Sequence, residues 1–163
     1  KEVRQVVKAQ LPAEPQSPFT PTLLFALVFV AGLAITLWQF KKKSFHPAFD
    51  FIFFSILGLF GFLFLFFWFG TDHKVLAFNL NLLWAFPLHL IAAALLLFKN
   101  TPAWVGKYFG AVGIVGLLVL LFWIWLPQQL HHSLIFLVAL ITLRAMVLFK
   151  IYRASLSTEP VQT

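Results

Sequence analysis

Residues 49–69 read FDFIFFSILGLFGFLFLFFWF, a run of 21 residues in which Asp50 is the single charged side chain. An α-helix rises 1.5 Å per residue, so about 20 apolar residues cross a hydrocarbon layer about 30 Å thick. Comparable apolar stretches occur at residues 21–40, 76–98, 108–126 and 130–151. The sequence therefore predicts an all-α, polytopic membrane protein with five transmembrane helices.

The composition of the whole chain supports the same fold class. The 163 residues are 61% hydrophobic and 10% charged, with a mean hydropathy of +0.93, whereas soluble domains are about 45–50% apolar and about 25% charged. This composition excludes a soluble domain. The chain has no cysteine, which excludes disulfides, thiolate metal sites and a cysteine nucleophile from these residues.

The connections between the predicted helices are short and rich in turn-forming residues. They read KKKSFHPA, GTDHKV, KNTPAWVGK and PQQ, and short connections favour consecutive helices that are antiparallel neighbours. We therefore expect one antiparallel five-helix bundle over residues 22–153, followed by a tail at residues 154–163.

The distribution of basic residues predicts the orientation, because Lys and Arg near helix ends favour the cytoplasmic side. One side of the bundle carries Lys41, Lys42, Lys43, Lys99, Lys107, Arg144, Lys150 and Arg153, and the other carries only Lys1, Arg4, Lys8 and Lys74. The predicted topology is N-out and C-in, with residues 154–163 in the cytoplasm. The net charge of +7 is thus explained without a nucleic-acid partner.

The first 21 residues differ from the rest of the chain. Pro12, Pro15, Pro18 and Pro21 recur every three residues in a polar segment, a composition typical of semi-rigid extended spacers. We interpret residues 1–21 as an extracytoplasmic linker from a preceding domain. The alternative is a processed N-terminus on a free-standing membrane protein.

A row of glycines marks the fourth predicted helix, at Gly106, Gly110, Gly113 and Gly116. Small residues at this spacing form a stripe along which another helix backbone can approach closely. Packing within the chain is the favoured interpretation, and homodimerisation through this stripe is the alternative.

Polar residues cluster at the predicted outer ends of helices two and three. They are Asp72, His73, Asn79, Asn81 and Trp84. On a regular third helix, Asn79 and Asn81 would face directions about 200° apart. The structural interpretation is a turn that ends helix two and caps helix three. The functional interpretation is a patch that positions a head group or substrate.

The ionisable residues inside predicted spans include His89, Asp50 and Arg144. His89 lies near the bilayer midplane, two positions after Pro87, and is expected to be neutral and hydrogen-bonded to another helix rather than part of a proton relay. Asp50 and Arg144 lie in the predicted cytoplasmic half. Either they form an ion pair or Arg144 extends to the membrane interface, and both alternatives are structural.

No motif for catalysis, metal binding or a cofactor is present. The sequence contains no P-loop, G-x-S-x-G, HExxH or paired carboxylates. His131 and His132 are adjacent and cannot share a metal ion from one regular helix. Haem ligation would need two facing histidines from His73, His89 and His131, whose predicted depths differ. We therefore expect no catalytic residue, metal or cofactor in this chain.

Three short motifs carry a family resemblance: Gly-Thr-Asp-His at residues 70–73, Asn-x-Asn-Leu-Leu-Trp at 79–84 and Pro-Leu at 87–88. With five spans behind an outer linker, they resemble the C-terminal transmembrane region of the lipoprotein N-acyltransferase family of Bacteroides and its relatives, over roughly residues 19–153.

The resemblance implies a two-part enzyme of the bacterial inner membrane. A periplasmic domain similar to cysteine peptidases would acylate the N-terminal amino group of a lipoprotein through a thioester. Because this chain has no cysteine, the nucleophile is expected in a domain before Lys1. The implied partners are that domain, membrane phospholipid and lipoprotein acyl chains.

Two classes of function are compatible with the sequence. The first is a membrane anchor that positions lipid or substrate for the acyltransferase. The second is a non-enzymatic module of an envelope assembly, such as a secretion or motility complex, which would have a stable partner and depend on the glycine stripe. A transporter or redox subunit is disfavoured because the spans contain no internal repeat.

Overall fold

The computed structural model describes residues 19–71 and 79–156, and every regular element in these ranges is helical. The α-helices are α1 (Pro21–Lys42), α2 (Ala48–Phe69), α3 (Leu88–Leu95), α4 (Ala103–Leu121) and α5 (Leu134–Leu156), and 3-10 turns lie at Leu80–Leu83 and Trp123–Trp125. Four of them, α1, α2, α4 and α5, are long and apolar enough to cross a membrane, and Leu80–Leu95 is a shorter apolar segment. The predicted polytopic all-α fold is confirmed.

The ends of α1 and α2 follow from local sequence. The Thr20 hydroxyl accepts the Leu23 N–H at 3.2 Å, which satisfies one of the free donors at the start of α1. Lys43 ends α1 in the left-handed region, at φ 50°. Gly70 ends α2, and its N–H donates to the Phe66 carbonyl at 2.7 Å. Both helices lie within two residues of the predicted bounds.

The prediction of one continuous third helix over residues 76–98 is wrong for the part that the structure describes, residues 79–98. The chain forms a 3-10 turn at Leu80–Leu83, leaves helical geometry and resumes as α3 only after Pro87. Proline has no N–H to donate and its ring clashes with the preceding turn. His89 and Leu90 donate to the Phe86 and Pro87 carbonyls, three residues back. The result is a complete break in the helix.

The last two helices are shifted relative to the predictions of 108–126 and 130–151. Helix α4 begins directly after Pro102, whose ψ of 144° is extended rather than helical, and the Trp123–Trp125 turn replaces its predicted outer end. Hydropathy alone could not locate the end of α4 at Leu121, because the apolar run continues through residues 122–126.

Helix α5 is the centre of the bundle, since both α1 and α4 pack against it, while α2 packs against α3. Gly32 of α1 lies against Leu140, and Thr36 of α1 contacts Arg144, so α1 and α5 run parallel. Consecutive helices are neighbours for α2–α3 and α4–α5, as predicted. The prediction is wrong for α1, which packs mainly on α5 and leaves a space beside α2.

The glycine stripe of α4 faces α5 of the same chain. All four glycines are buried, with Gly106 against Tyr152 and Gly116 against Thr142, so α4 and α5 are antiparallel. This arrangement agrees with packing within the chain. Homodimerisation through the same glycines would require α5 to move away.

Candidate functional site

A group of four polar side chains forms where the broken third segment meets the connection between α4 and α5. The Asn79 Oδ1 accepts from the Asn81 N–H at 3.0 Å and from Asn81 Nδ2 at 2.8 Å. The Trp84 indole N–H donates to Asn81 Oδ1 at 2.9 Å. The Gln128 Oε1 accepts the Leu80 N–H at 2.7 Å. We call Asn79, Asn81, Trp84 and Gln128 the outer cluster, since the N-out prediction places them on the outer side.

The outer cluster corrects one expectation from the sequence. Asn79 and Asn81 were expected to face directions about 200° apart, but their side chains are hydrogen-bonded to each other. Asn79 has extended backbone geometry (φ −68°, ψ 111°), and its side chain caps the 3-10 turn by accepting the Asn81 N–H. Local hydrogen bonds of this kind favour asparagine in turns. The other two predicted members of the patch, Asp72 and His73, lie outside the described residues and stay predictions.

An apolar groove of about 580 Å³ lies between α1 and α2 and reaches the outer cluster. Its volume is within the usual range of ligand sites, about 300–1,000 Å³. Asn81 and Trp84 contribute to its polar end, and its remaining walls are apolar, including Leu24, Val28, Ile56, Phe60 and Leu137. The site therefore combines hydrogen-bonding groups at one end with hydrocarbon walls along the rest.

His89 connects the break in the third segment to α4. Its Nε2 lies 3.1 Å from the Trp84 carbonyl oxygen, and its Nδ1 lies 2.6 Å from the Tyr108 hydroxyl. A carbonyl can only accept, so Nε2 carries the hydrogen, and Nδ1 of the neutral ring accepts from Tyr108. The side chain is 1% exposed. His89 thus satisfies the Trp84 carbonyl beside the break and holds Trp84 in the outer cluster.

Replacing Tyr108 with phenylalanine is expected to destabilise the protein by about 1–3 kcal/mol, because the buried Nδ1 of His89 loses its donor. The measurement is the thermal midpoint of the purified full-length protein in detergent. His132→Ala is the control, since His132 is exposed. An unchanged midpoint for Tyr108→Phe would contradict the proposed hydrogen-bond assignment.

Arg144 forms a second, fully buried polar network at the opposite end of the bundle. Its Nε and Nη2 donate to the two carboxylate oxygens of Asp50 at 2.7 and 2.5 Å. Its Nη1 donates to the Thr36 hydroxyl at 2.7 Å, and Nη2 also donates to Gln39 Oε1 at 3.1 Å. Of the two alternatives for Arg144, the structure shows the ion pair, which joins α1, α2 and α5.

The Asp50 carboxylate and the His131 ring are both hydrogen-bonded within the chain. Asp50 is the single carboxylate in residues 19–71 and 79–153, and Arg144 occupies both its oxygens. The Nδ1 of His131 lies 2.7 Å from the Ser133 hydroxyl, but it also accepts the Ser133 N–H in a local turn before α5. In the described residues no group of three His, Cys, Asp or Glu converges on a metal site.

Three residues of these networks, Gln128, Thr36 and Gln39, were not expected from the sequence. Gln128 joins the outer cluster across 48 positions of sequence, and no local pattern indicates that contact. Thr36 and Gln39 did offer a signal, because two polar residues three positions apart share one helix face. That spacing inside an apolar span could have identified α1 as a partner for Arg144.

Comparison with known proteins identifies a family that covers most of the chain. The family model described as Lnb transmembrane domain matches residues 13–155, a range that includes the outer cluster, the groove and the Arg144 network. No curated protein and no solved structure matches the chain.

Proposed function

Because the chain belongs to the Lnb transmembrane domain family, we propose that it is the membrane module of a bacterial lipoprotein N-acyltransferase. It anchors the enzyme and holds lipid substrate at the depth where acyl transfer occurs. The family match and the four candidate spans make this a multi-pass membrane protein, and the proposal places it in the inner membrane with the outer cluster facing the periplasm.

The proposed chemistry takes place outside these residues, since the chain has no cysteine. A thiolate in a preceding periplasmic domain attacks the carbonyl carbon of an acyl ester. The ester C–O bond breaks, a thioester forms and the alcohol leaves with a proton. The amino group of the lipoprotein N-terminal cysteine then attacks the thioester, so that an amide forms and the thiol is regenerated.

The observation that carries the proposal is the junction of the outer cluster with the apolar groove. Asn81 and Trp84 belong to both, so one amphiphile could place its polar part at Asn81 and its hydrocarbon between α1 and α2. Holding a reactant in this way accelerates a reaction without a catalytic side chain in the bundle, because the entropy of orientation is already lost on binding.

Replacing Asn81 with alanine in the full-length enzyme is expected to lower lipoprotein N-acylation about 10-fold to 100-fold, because the head group loses its position. N-terminal lipopeptides from cells are quantified by mass spectrometry, with protein in the membrane fraction measured in parallel. Asn100→Ala is the matched control, since Asn100 is exposed in the connection between α3 and α4.

Normal acylation by Asn81→Ala at normal protein abundance would limit the outer cluster to a structural role. The same assay applied to Asp72→Ala and His73→Ala tests the remaining residues of the predicted patch. A stable stoichiometric envelope partner, together with unchanged acylation, would favour the non-enzymatic alternative instead.

A further inference from the structure

The apolar groove runs along α2 toward the inner end of the bundle. Phe53 is the innermost residue of α2 in its wall, and its ring stacks on Phe49 at 5.7 Å with the planes 8° apart. The Arg144 guanidinium lies 5.5 Å from the centre of the Phe49 ring. Below Phe53 the bundle therefore changes from hydrocarbon to the buried charge layer of Arg144 and Asp50.

The Arg144 network lies next to the inner limit of the groove, because Phe49 contacts both Phe53 and Arg144. Arg144 donates to Asp50 of α2 and to Thr36 and Gln39 of α1, so the network holds α1 and α2 together at the inner end. Farther from the network, Phe29 of α1 packs on Phe136 of α5 and Gly61 of α2 lies against residues 85–87. The groove lies between α1 and α2 in this part of the bundle.

The polar end of the groove is set by Trp84. Its ring contacts Phe64 edge-on at 6.1 Å, and its indole N–H is held by Asn81. From Phe64 down to Phe53 the α-helical rise gives a length of about 16 Å. An extended chain advances about 1.2 Å per backbone bond, so this length accommodates about 13 carbon–carbon bonds.

We propose that this groove binds the acyl chain of the donor phospholipid in extended form and selects the length of the chain that is transferred. The ester lies beside Asn81 and Trp84, the chain runs between α1 and α2, and Phe53 stops it. A longer chain must bend out into the bilayer or push its end against the Phe53–Phe49 stack. The inference rests on the proposed function and adds a substrate selectivity to it.

Ile56 provides the sharpest test because it lines the groove about one turn above Phe53 and is 49% exposed. Tryptophan at this position shortens the groove without entering the buried core. Measured from Phe64, the available length falls to about 12 Å, or about 10 bonds. The transferred chain is then expected to shorten by about 3 carbons.

The experiment uses the full-length enzyme with donor vesicles of phosphatidylethanolamine containing equal amounts of 12-, 14- and 16-carbon chains. The N-acyl groups on the lipoprotein product are identified by mass spectrometry. Ile56→Trp is expected to raise the ratio of 12-carbon to 16-carbon product at least about 10-fold over the wild type, in line with the loss of hydrophobic contact for each excluded methylene.

Ile52→Trp is the matched control. Ile52 is on α2 one turn below Ile56 and is 56% exposed, but it does not line the groove. Its substitution is expected to leave the chain-length distribution unchanged. If Ile56→Trp fails to accumulate, Ile56→Phe applies the same test with a smaller expected shift in the same direction.

An unchanged distribution in the Ile56 variants, with total acylation at the wild-type level, would overturn this inference and leave the proposed function intact. An equal shift in Ile52→Trp would also overturn it, because the effect would then come from bulk on α2 in general. Absence of acylation by the wild-type enzyme would instead reject the proposed function.

Discussion

Replacing Asp50 with alanine is expected to destabilise the folded bundle by about 3–5 kcal/mol, because it leaves the Arg144 charge buried without its partner. Both side chains have no solvent exposure, and Arg144 lies among helices rather than at the interface. The thermal midpoint of the purified full-length protein in detergent, together with its abundance in the membrane fraction, measures the effect.

Two comparison variants separate the ion pair from the rest of the network. Thr36→Val removes one hydrogen bond from Arg144 and is expected to cost about 1 kcal/mol. The double variant Asp50→Leu/Arg144→Met removes both charges and is expected to recover most of the stability, since buried pairs can often be replaced by apolar residues. A midpoint for Asp50→Ala equal to that of Thr36→Val would contradict the role given to the pair.

Replacing Gly61 with alanine is expected to displace the break in the third segment and to disrupt the outer cluster. A Cβ at Gly61 would meet the Ala85 carbonyl oxygen, the Pro87 nitrogen at 2.7 Å and the Phe86 carbonyl carbon at 2.9 Å. All three are backbone atoms, so no side chain can rotate away. Overpacking of this kind costs about 1–3 kcal/mol, and we expect lipoprotein N-acylation to fall with it.

Gly106→Ala is the matched control for this prediction. A Cβ at Gly106 would lie 3.1 Å from the Cβ of Tyr152 and at least 3.5 Å from other atoms outside its own helix, and alanine favours the helix by about 0.5–1 kcal/mol. We expect its thermal midpoint and acylation to stay close to wild type. Equal behaviour of Gly61→Ala and Gly106→Ala would show that the break can move without consequence.

The break in the third segment, between Leu83 and Leu88, depends partly on local sequence and partly on tertiary contacts. Pro87 is compatible with both a kink and a full break in the third helix. The break forms because Gly61 lets the backbone of residues 85–87 approach α2 and because His89 donates to the Trp84 carbonyl. Both conditions come from tertiary contacts.

The outer cluster also combines residues that could be predicted from the sequence with contacts that could not. Asn81 and Trp84 were identified from the sequence as members of an outer patch, and the structure places them together. The contact of Asn79 with Asn81 could not be predicted because it depends on a 3-10 turn where a regular helix was assumed. Gln128 could not be predicted because its contact with Leu80 joins distant parts of the chain.

The sequence by itself determined that this chain is a helical membrane protein. Backbone groups in lipid must be satisfied internally, so long apolar runs such as residues 49–69 have to become helices whatever surrounds them. Only the tertiary structure decided that α1 packs on α5, that Arg144 pairs with Asp50 and that a groove remains beside α2. These features depend on which helix faces meet, and the apolar surfaces of the spans are too alike for hydropathy to choose among them.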